Sequence, residues 1–215
     1  MVKMPSLLIF DLDGTLSDPA VGVLRSINHS LSYFGYPELP PECISECIGP
    51  PIDHTFARLS GSTDAAHVRE LVAKYREGYS DVGYAENVLY DRIADVLATL
   101  HARDVSMGVC TSKRVDFAER ILTMFALRSN SRFVSGGEDG ASKAEHLGNL
   151  VNDGVVPKHA IMIGDRAVDS EAAHHSGLTS AGVVWGHGSE AELRWAGAHH
   201  LLFAPREILV IDRQR

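Results

Sequence analysis

Short apolar runs alternate along the chain with segments of helical periodicity, and this alternation restricts the fold more than any other feature. After a turn at Asp91, a candidate N-cap, the residues Ile93, Val96, Leu97 and Leu100 recur at helical spacing. Strands separated by helices form right-handed βαβ units and a parallel sheet covered on both faces. The sequence therefore predicts an α/β fold with a doubly wound parallel sheet, with strands at Leu7–Phe10, Val105–Cys110, Arg132–Ser135, Ala160–Ile163 and Ala181–Trp185.

One long segment, residues 18–86, breaks this alternation because it contains helical patterns and no convincing strand. Several prolines divide it into separate helices. We therefore predict a core domain of residues 1–17 and 87–215, with a small helical domain of residues 18–86 inserted after the first strand. Two apolar stripes, best explained as packing faces, are Leu24, Ile27, Leu31 and Phe34, and Val68, Leu71, Val72, Tyr75 and Tyr79.

Charge and composition exclude several classes of partner. The net charge of −8 disfavours nonspecific binding to nucleic acid or to an anionic membrane. No apolar run approaches the roughly 18 residues of a membrane span. The 3 cysteines, at irregular spacing, do not form a disulfide framework, and a cytoplasmic location is the default expectation. We expect no nucleic-acid and no membrane partner, and a monomer or homodimer.

Polar residues follow three of the predicted strands at the point where each strand ends. In open parallel sheets, ligands bind beyond the carboxyl ends of the strands. We therefore expect these side chains to meet at one edge of the sheet, together with a lysine at a predicted helix start after a glycine-rich stretch. They are Asp11 and Asp13 after the first strand, Thr111 and Ser112 after the second, Asp165 and Asp169 after the fourth, and Lys143.

The spacing of the first two acids indicates a cation. Asp11 and Asp13 lie on the same side of an extended chain, and like charges held that close repel each other. Hard carboxylate oxygens suit Mg²⁺, which would offset the repulsion. One carboxylate can attack phosphorus, the second can transfer protons, and a hydroxyl with a lysine can hold the phosphoryl oxygens. The residues thus supply the parts of a two-step phosphoester hydrolysis.

Four motifs carry a resemblance to a known superfamily. DLDGT, the threonine of VCTSK, the isolated Lys143 and GDRAVD resemble, in order and over nearly the whole chain, the motifs of the haloacid dehalogenase-like hydrolases. The resemblance implies that Asp11 is the nucleophile and a Mg²⁺ ligand. It implies that Asp13 is the general acid and base, with its backbone carbonyl on the metal. Dehalogenases lack this second acid, so Asp13 argues for phosphoryl transfer.

The resemblance also assigns the remaining site residues. It implies that Asp165 ligates Mg²⁺ directly and that Asp169 ligates it or orients its waters. Phosphate binding would involve Gly14, Thr111, Ser112 and Lys143, and Lys143 would also steady Asp11. The helical insertion is similar to the family's small cap, in which Gly49 and Pro50 would reach toward the site. Arg58, like Arg25 and Arg76, could meet a carboxylate or a second phosphate of the substrate.

More narrowly, the chain resembles the phosphoglycolate phosphatase group and its 5′-nucleotidase-like branch. The segments that carry this likeness are CIGPPI, GDRAVD and GVVWGHGSEAEL. Two departures are Asp91-Arg92 in place of Pro-Gly, and a shorter loop between Asp139-Gly140 and Lys143. The implied substrate is a small phosphorylated metabolite, with phosphoglycolate, a nucleoside monophosphate and a sugar phosphate left open. A phosphotransferase or mutase, and a noncatalytic binding protein, are the alternatives.

Overall fold

The chain forms two compact units, which are described here from a computed structural model of residues 7–137 and 141–211. One unit, the α/β unit, contains the chain up to Asp18 and from Leu89 onward; the other, the helical unit, is Pro19–Val88. The glycine-rich loop at Asp139-Gly140 lies outside the described residues. None of the described helices has the length and apolar character needed to cross a bilayer.

The secondary structure follows the alternation seen in the sequence. The strands are β1 (Leu7–Phe10), β2 (Ser17–Asp18), β3 (Val88–Leu89), β4 (Ser106–Thr111), β5 (Val134–Gly136), β6 (Ile161–Gly164), β7 (Thr179–Val183) and β8 (His200–Leu202). The helices are α1 (Ala20–Tyr33), α2 (Ile52–Ser60), α3 (Ala65–Asp81), α4 (Ile93–Ala102), α5 (Val115–Met124), α6 (Lys143–Asn152), α7 (Ala167–His175), α8 (Glu190–Trp195) and α9 (Ile208–Ile211). Short 3₁₀ helices lie at Pro41–Cys47, Gly83–Glu86, Arg128–Asn130 and Pro205–Glu207.

A parallel sheet of six strands forms the centre of the α/β unit, in the order β5-β4-β1-β6-β7-β8. Strand β1 is buried along its whole length, as expected for a strand covered on both faces. One layer of the core packs Leu7 and Ile9 of β1 against Leu147 of α6 and Ala173 of α7. The predicted α/β class with a parallel sheet is confirmed.

The predicted strands match the observed ones to within a few residues, but two local predictions were wrong. Strand β8 was not predicted, because its three residues carry no strand pattern of their own. Asp91 is not the N-cap of α4: its side chain is almost fully exposed. The residue before the helix is Arg92, which has a left-handed φ of 63° and makes no side-chain cap.

The helical unit has an apolar interior of its own. The stripe on α3 is buried at every predicted position (Val68, Leu71, Val72, Tyr75 and Tyr79). Helix α1 packs against α3, and the Ser30 hydroxyl donates to the Leu71 carbonyl across 2.8 Å. The α1 stripe is centred on Val23, Ile27 and Leu31, whereas Leu24 and Phe34 are only partly buried.

Candidate active site

The site lies where the strand order of the sheet reverses. Strand β1 is flanked by β4 on one side and β6 on the other. After β1 the chain therefore adds β4 and β5 on one side of it, and later β6, β7 and β8 on the other side. The carboxyl ends of such strands border a crevice that a ligand can enter. The aspartates, lysines and hydroxyl residues described first belong to the α/β unit.

Three aspartates converge at this point. Asp11 follows β1, Asp165 follows β6, and Asp169 lies in the first turn of α7. Each offers a carboxylate oxygen within 4.8 Å of the others, and all three residues are buried. The three aspartates at the ends of β1 and β6 that the sequence predicts to meet are therefore together.

Lys143 is placed among them by the start of helix α6. Ser142 caps this helix, its hydroxyl accepting from the Glu145 N–H while the Glu145 carboxylate accepts from the Ser142 N–H. This capping box fixes Lys143 as the first helical residue. Leu147, one turn later, is fully buried in the core and anchors the same helix.

The Lys143 ammonium links two of the three carboxylates. Its Nζ lies 2.8 Å from Asp11 Oδ2 and contacts Asp169 Oδ1, with the side chain only 1% exposed. Burial alone lowers the pKa of Lys143, but the carboxylates of Asp11 and Asp169 outweigh it and raise that pKa above its ordinary value. Lys143 is therefore a fixed positive charge between the two acids.

One ammonium does not balance three carboxylates, so two negative charges remain uncompensated when all are ionised. Burial, and next the charges of Asp169 and Asp11, raise the pKa of Asp165 to about 8. Burial also raises the pKa of Asp169, although Lys143 opposes that rise. Hard oxygen donors around a buried excess of negative charge fit a divalent cation.

Close backbone packing holds Asp165. The His187 N–H donates to Asp165 Oδ2 across 2.8 Å, and the Thr15 hydroxyl lies 3.5 Å from Oδ1. Gly14 has a left-handed φ of 80°, and a Cβ at this position would lie 2.2 Å from the Asp165 carboxylate. Only glycine fits this turn, since a side chain there would displace Asp165.

The predicted role of Gly14 in phosphate binding stays a prediction. Its N–H donates to the Ser17 carbonyl across 2.8 Å, so this amide already has a partner. The contribution of Gly14 seen in the structure is the space that it leaves for Asp165.

The orientation of the Asp11 carboxylate is fixed by the backbone. The Leu12 N–H donates to Asp11 Oδ1 across 2.7 Å.

Asp13 lies outside the three-aspartate cluster and has a lysine of its own. Lys113 Nζ is 2.8 Å from Asp13 Oδ2, in a pair that is largely shielded from water. Burial raises the pKa of Asp13, and Lys113 opposes that rise. A metal contact through the Asp13 backbone carbonyl stays a prediction.

The two hydroxyl residues predicted to bind phosphate follow one another at the end of β4. Thr111 is buried, and its hydroxyl accepts from the Lys113 N–H across 3.2 Å, which leaves the hydroxyl proton free to donate. Ser112 is partly exposed. Their contact with a phosphoryl group stays a prediction.

The residues predicted to face the substrate from the helical unit are described within that unit alone. Gly49 has a left-handed φ of 104°, and Pro50 follows it just before α2. Arg58 on α2 donates to Glu46 across 3.0 Å and to the Cys47 sulfur across 3.3 Å. Their part in substrate selection stays a prediction.

Three residues of the site were not among the predicted ones. Lys113 pairs with Asp13, Thr15 approaches Asp165, and His187 contacts both Asp165 and, through its ring, Asp18 at 3.2 Å. Lys113 follows Thr111-Ser112 at a strand end, so its position was a usable signal. His187 lies in a loop far along the chain, and only the fold brings it here.

Comparison with known proteins agrees with this geometry. Residues 8–183 match the family described as haloacid dehalogenase-like hydrolase. The crystal structure described as a predicted phosphatase from Clostridium acetobutylicum superposes with a TM-score of 0.89 at 29% identity, covering 97% of this chain and 100% of that one. The resemblance of the four motifs to this family is thereby confirmed.

Curated relatives carry several names. The 5′-nucleotidase of Pseudomonas aeruginosa is 37% identical over 90% of this chain and 88% of its own length. Tyrosine-protein kinase PtkA of Mycobacterium tuberculosis is 36% identical over 86% of this chain, which spans 64% of that protein. Phosphoglycolate phosphatase of Yersinia pseudotuberculosis is 30% identical over 87% of this chain and 85% of its own. The chain belongs to the haloacid dehalogenase-like hydrolase family.

Proposed function

We propose that this chain is a phosphatase that hydrolyses the phosphate monoester of a small metabolite through an aspartyl-phosphate intermediate. The observation that carries the proposal is the Asp11 carboxylate, buried and held by Leu12 N–H and Lys143 among further acids. A carboxylate so fixed can attack phosphorus without first reorganising its surroundings. The names of the phosphatase and nucleotidase relatives support the same chemistry.

In the first step, the Asp11 carboxylate forms a bond to phosphorus while the bond from phosphorus to the ester oxygen breaks. Asp13, two residues on, gives a proton to the leaving oxygen, so that no free alkoxide forms. The Thr111 hydroxyl and the Lys143 ammonium donate to the phosphoryl oxygens and stabilise the transferred group. Lys143 is already in contact with Asp11, which places its charge beside the forming bond.

In the second step, water attacks the phosphorus of the aspartyl phosphate and inorganic phosphate leaves. Asp13, now deprotonated, takes a proton from this water and thereby returns to its starting state. The phosphorus–oxygen bond to Asp11 breaks, which frees the nucleophile. Over the two steps, one water is consumed, the alcohol and inorganic phosphate are released, and Asp11 and Asp13 return to their starting states.

The cation that the three aspartates suit is proposed to be Mg²⁺, held by Asp11, Asp165 and Asp169. When bound, it would neutralise the excess negative charge and polarise a phosphoryl oxygen. The Asp165 side chain is kept in place by His187 N–H and by the glycine at position 14. Both carboxylate oxygens of Asp169 have protein partners, Lys143 and the Arg166 N–H. Asp169 is proposed either to ligate the cation directly or to orient its waters.

The substrate class is proposed to be a small phosphorylated metabolite, with phosphoglycolate and nucleoside 5′-monophosphates as first candidates. These two follow from the names of relatives at 30% and 37% identity. Gly49, Pro50 and Arg58 of the helical unit are proposed to choose the leaving group. A cytoplasmic location and a monomer or homodimer remain part of the proposal.

The test is a panel of phosphate esters assayed with the purified chain and Mg²⁺. We expect release of inorganic phosphate, ranked by kcat/KM, and loss of release when the cation is removed by chelation. Incubation with the best labelled ester and rapid acid quenching should trap label on the peptide that contains Asp11. Absence of both phosphate release and label over the whole panel would overturn the proposal.

A phosphotransferase is the second candidate, because a tyrosine-protein kinase is among the relatives. In that case the phosphoryl group would pass from Asp11 to a hydroxyl acceptor instead of to water. The same labelled preparation distinguishes the two: release into solution indicates hydrolysis, whereas transfer to an added sugar or to tyrosine residues indicates a transferase.

A further inference from the structure

A second buried lysine, Lys113, lies beside the acid and base of the proposed reaction. Its Nζ is 2.8 Å from Asp13 Oδ2, and the two side chains are only 7% and 16% exposed. Removing both charges from water costs several kcal/mol, which exposed ion pairs avoid. A pair of this kind is weak evidence for stability, so its presence calls for another explanation.

The two oxygens of Asp13 are in different situations. Lys113 occupies Oδ2, whereas Oδ1 is buried and has no hydrogen-bond partner within residues 7–137 and 141–211. A buried carboxylate oxygen without a hydrogen-bond partner is unfavourable unless a ligand supplies that partner. Oδ1 is therefore the oxygen available to a substrate atom.

The backbone of Lys113 is fixed on both sides, so the direction of its side chain is set by the fold. Its N–H donates to the Thr111 hydroxyl across 3.2 Å, and its carbonyl accepts from the Gly137 N–H across 2.9 Å. Lys113 thus reaches Asp13 from the end of β4, the strand next to β1. The other buried lysine, Lys143, is engaged with Asp11 and Asp169 instead.

We infer that Lys113 is a positioning residue for Asp13: it holds Oδ2 so that Oδ1 faces the oxygen of the leaving group. The inference rests on the proposed phosphatase function and adds to it a residue that acts through Asp13 rather than on phosphate. The proton passes from Oδ1 to the leaving oxygen as the phosphorus–oxygen bond breaks, and Lys113 keeps its own protons.

The dependence of rate on the leaving group tests this role. An alkyl ester needs a proton on its leaving oxygen, whereas p-nitrophenyl phosphate releases a stable anion and needs little help. We expect Lys113→Met to lower kcat/KM for the best alkyl ester of the panel about 10- to 100-fold. For p-nitrophenyl phosphate we expect a change within about threefold. The parameter kcat/KM is chosen because it reports on transfer of the phosphoryl group to Asp11 and not on the later hydrolysis of the aspartyl phosphate.

Arg114→Met is the matched control, since Arg114 is the next residue and forms an exposed ion pair with Asp116. We expect it to leave both rates near those of the wild type. Lys113→Gln can still donate one hydrogen bond to Asp13, so its alkyl-ester rate should lie between those of wild type and Lys113→Met. If the Met variant does not fold, the Gln variant carries the test.

Equal losses for both esters would overturn the inference, because a phosphate-binding or purely structural lysine affects both alike. Unchanged rates for both esters in folded Lys113 variants would overturn it as well. A wild-type chain that hydrolyses no ester would instead refute the proposed function, so the two failures are distinguishable.

Discussion

Among the described residues, the α/β unit contains fully buried ion pairs, whereas each ion pair of the helical unit has at least one side chain exposed to solvent. In the α/β unit, the side chains of Lys143, Asp11 and Asp169 form ion pairs while no more than 4% exposed. In the helical unit, the Arg58–Glu46 pair has side chains that are 48% and 68% exposed. The interior of the helical unit is instead filled by the apolar and aromatic stripe on α3.

This difference separates residues kept for chemistry from residues kept for packing. Buried charges cost several kcal/mol to remove from water, and well-packed apolar residues would fill the same volume at lower cost. Exposed pairs contribute little and can be replaced freely. A cluster of buried charges at the switch point of a sheet therefore marks the candidate functional site, which the exposed pairs of the helical unit do not.

The largest difference between the two units is expected in the rate of phosphate release when one acid of each unit is replaced. Asp11→Asn keeps the shape of the side chain and an oxygen for the Leu12 N–H, but it removes the nucleophile. Phosphate release should fall about a thousandfold or more. Glu77→Gln, on an exposed acid of α3, should leave the rate unchanged. The rates are measured on the best ester of the panel. Near-wild-type turnover by folded Asp11→Asn would remove Asp11 from the role of nucleophile.

A smaller difference is expected in stability when one cation of each unit is removed. Lys143→Met leaves three buried carboxylates without their counter-charge and should lower the free energy of unfolding by about 3–5 kcal/mol. Arg58→Met disrupts an exposed pair and should cost at most about 1 kcal/mol. Both losses are to be measured by urea unfolding of chelator-treated protein. Similar small losses in both variants would mean that the buried cluster is not held by Lys143.

A third effect is expected in the dependence of the free energy of unfolding on pH in the absence of metal. The pKa of Asp165 is about 8 in the folded chain, against 3.8 for an ordinary aspartate. Between these values the folded chain holds a proton that the unfolded chain has lost. The stabilisation is therefore complete below pH about 4 and is lost as pH rises through about 8.

Thermal unfolding of chelator-treated wild type and Asp165→Asn, followed from pH 5 to pH 9, measures this effect. The Tm of wild type should fall more steeply with pH than that of the variant, because the variant lacks the titrating group. Added Mg²⁺ should raise the wild-type Tm most at the higher pH, where Asp165 is ionised. Parallel Tm curves for the two proteins would show that Asp165 does not titrate in this range.

The aspartate cluster could be predicted from the sequence because its members follow apolar strands. Runs such as Leu7–Phe10 and Ile161–Gly164 leave little choice of structure, and parallel strands bring their carboxyl ends to one edge. Lys143 was predictable for a local reason, since Ser142 and Glu145 form a capping box around its helix start. By contrast, strand β8 pairs with β7 without a pattern of its own, so neighbouring structure decides it.

The sequence by itself determined the α/β class, and it predicted a helical insertion and a set of residues at the end of β1. Periodicity and local capping act over a few residues and can be read from one segment at a time. Only the tertiary structure decided which lysine pairs with which acid, with Lys143 on Asp11 and Asp169 and Lys113 on Asp13. It also decided that a loop residue, His187, orients Asp165. Such pairings depend on distances between segments far apart in the chain, which are fixed only when the sheet assembles.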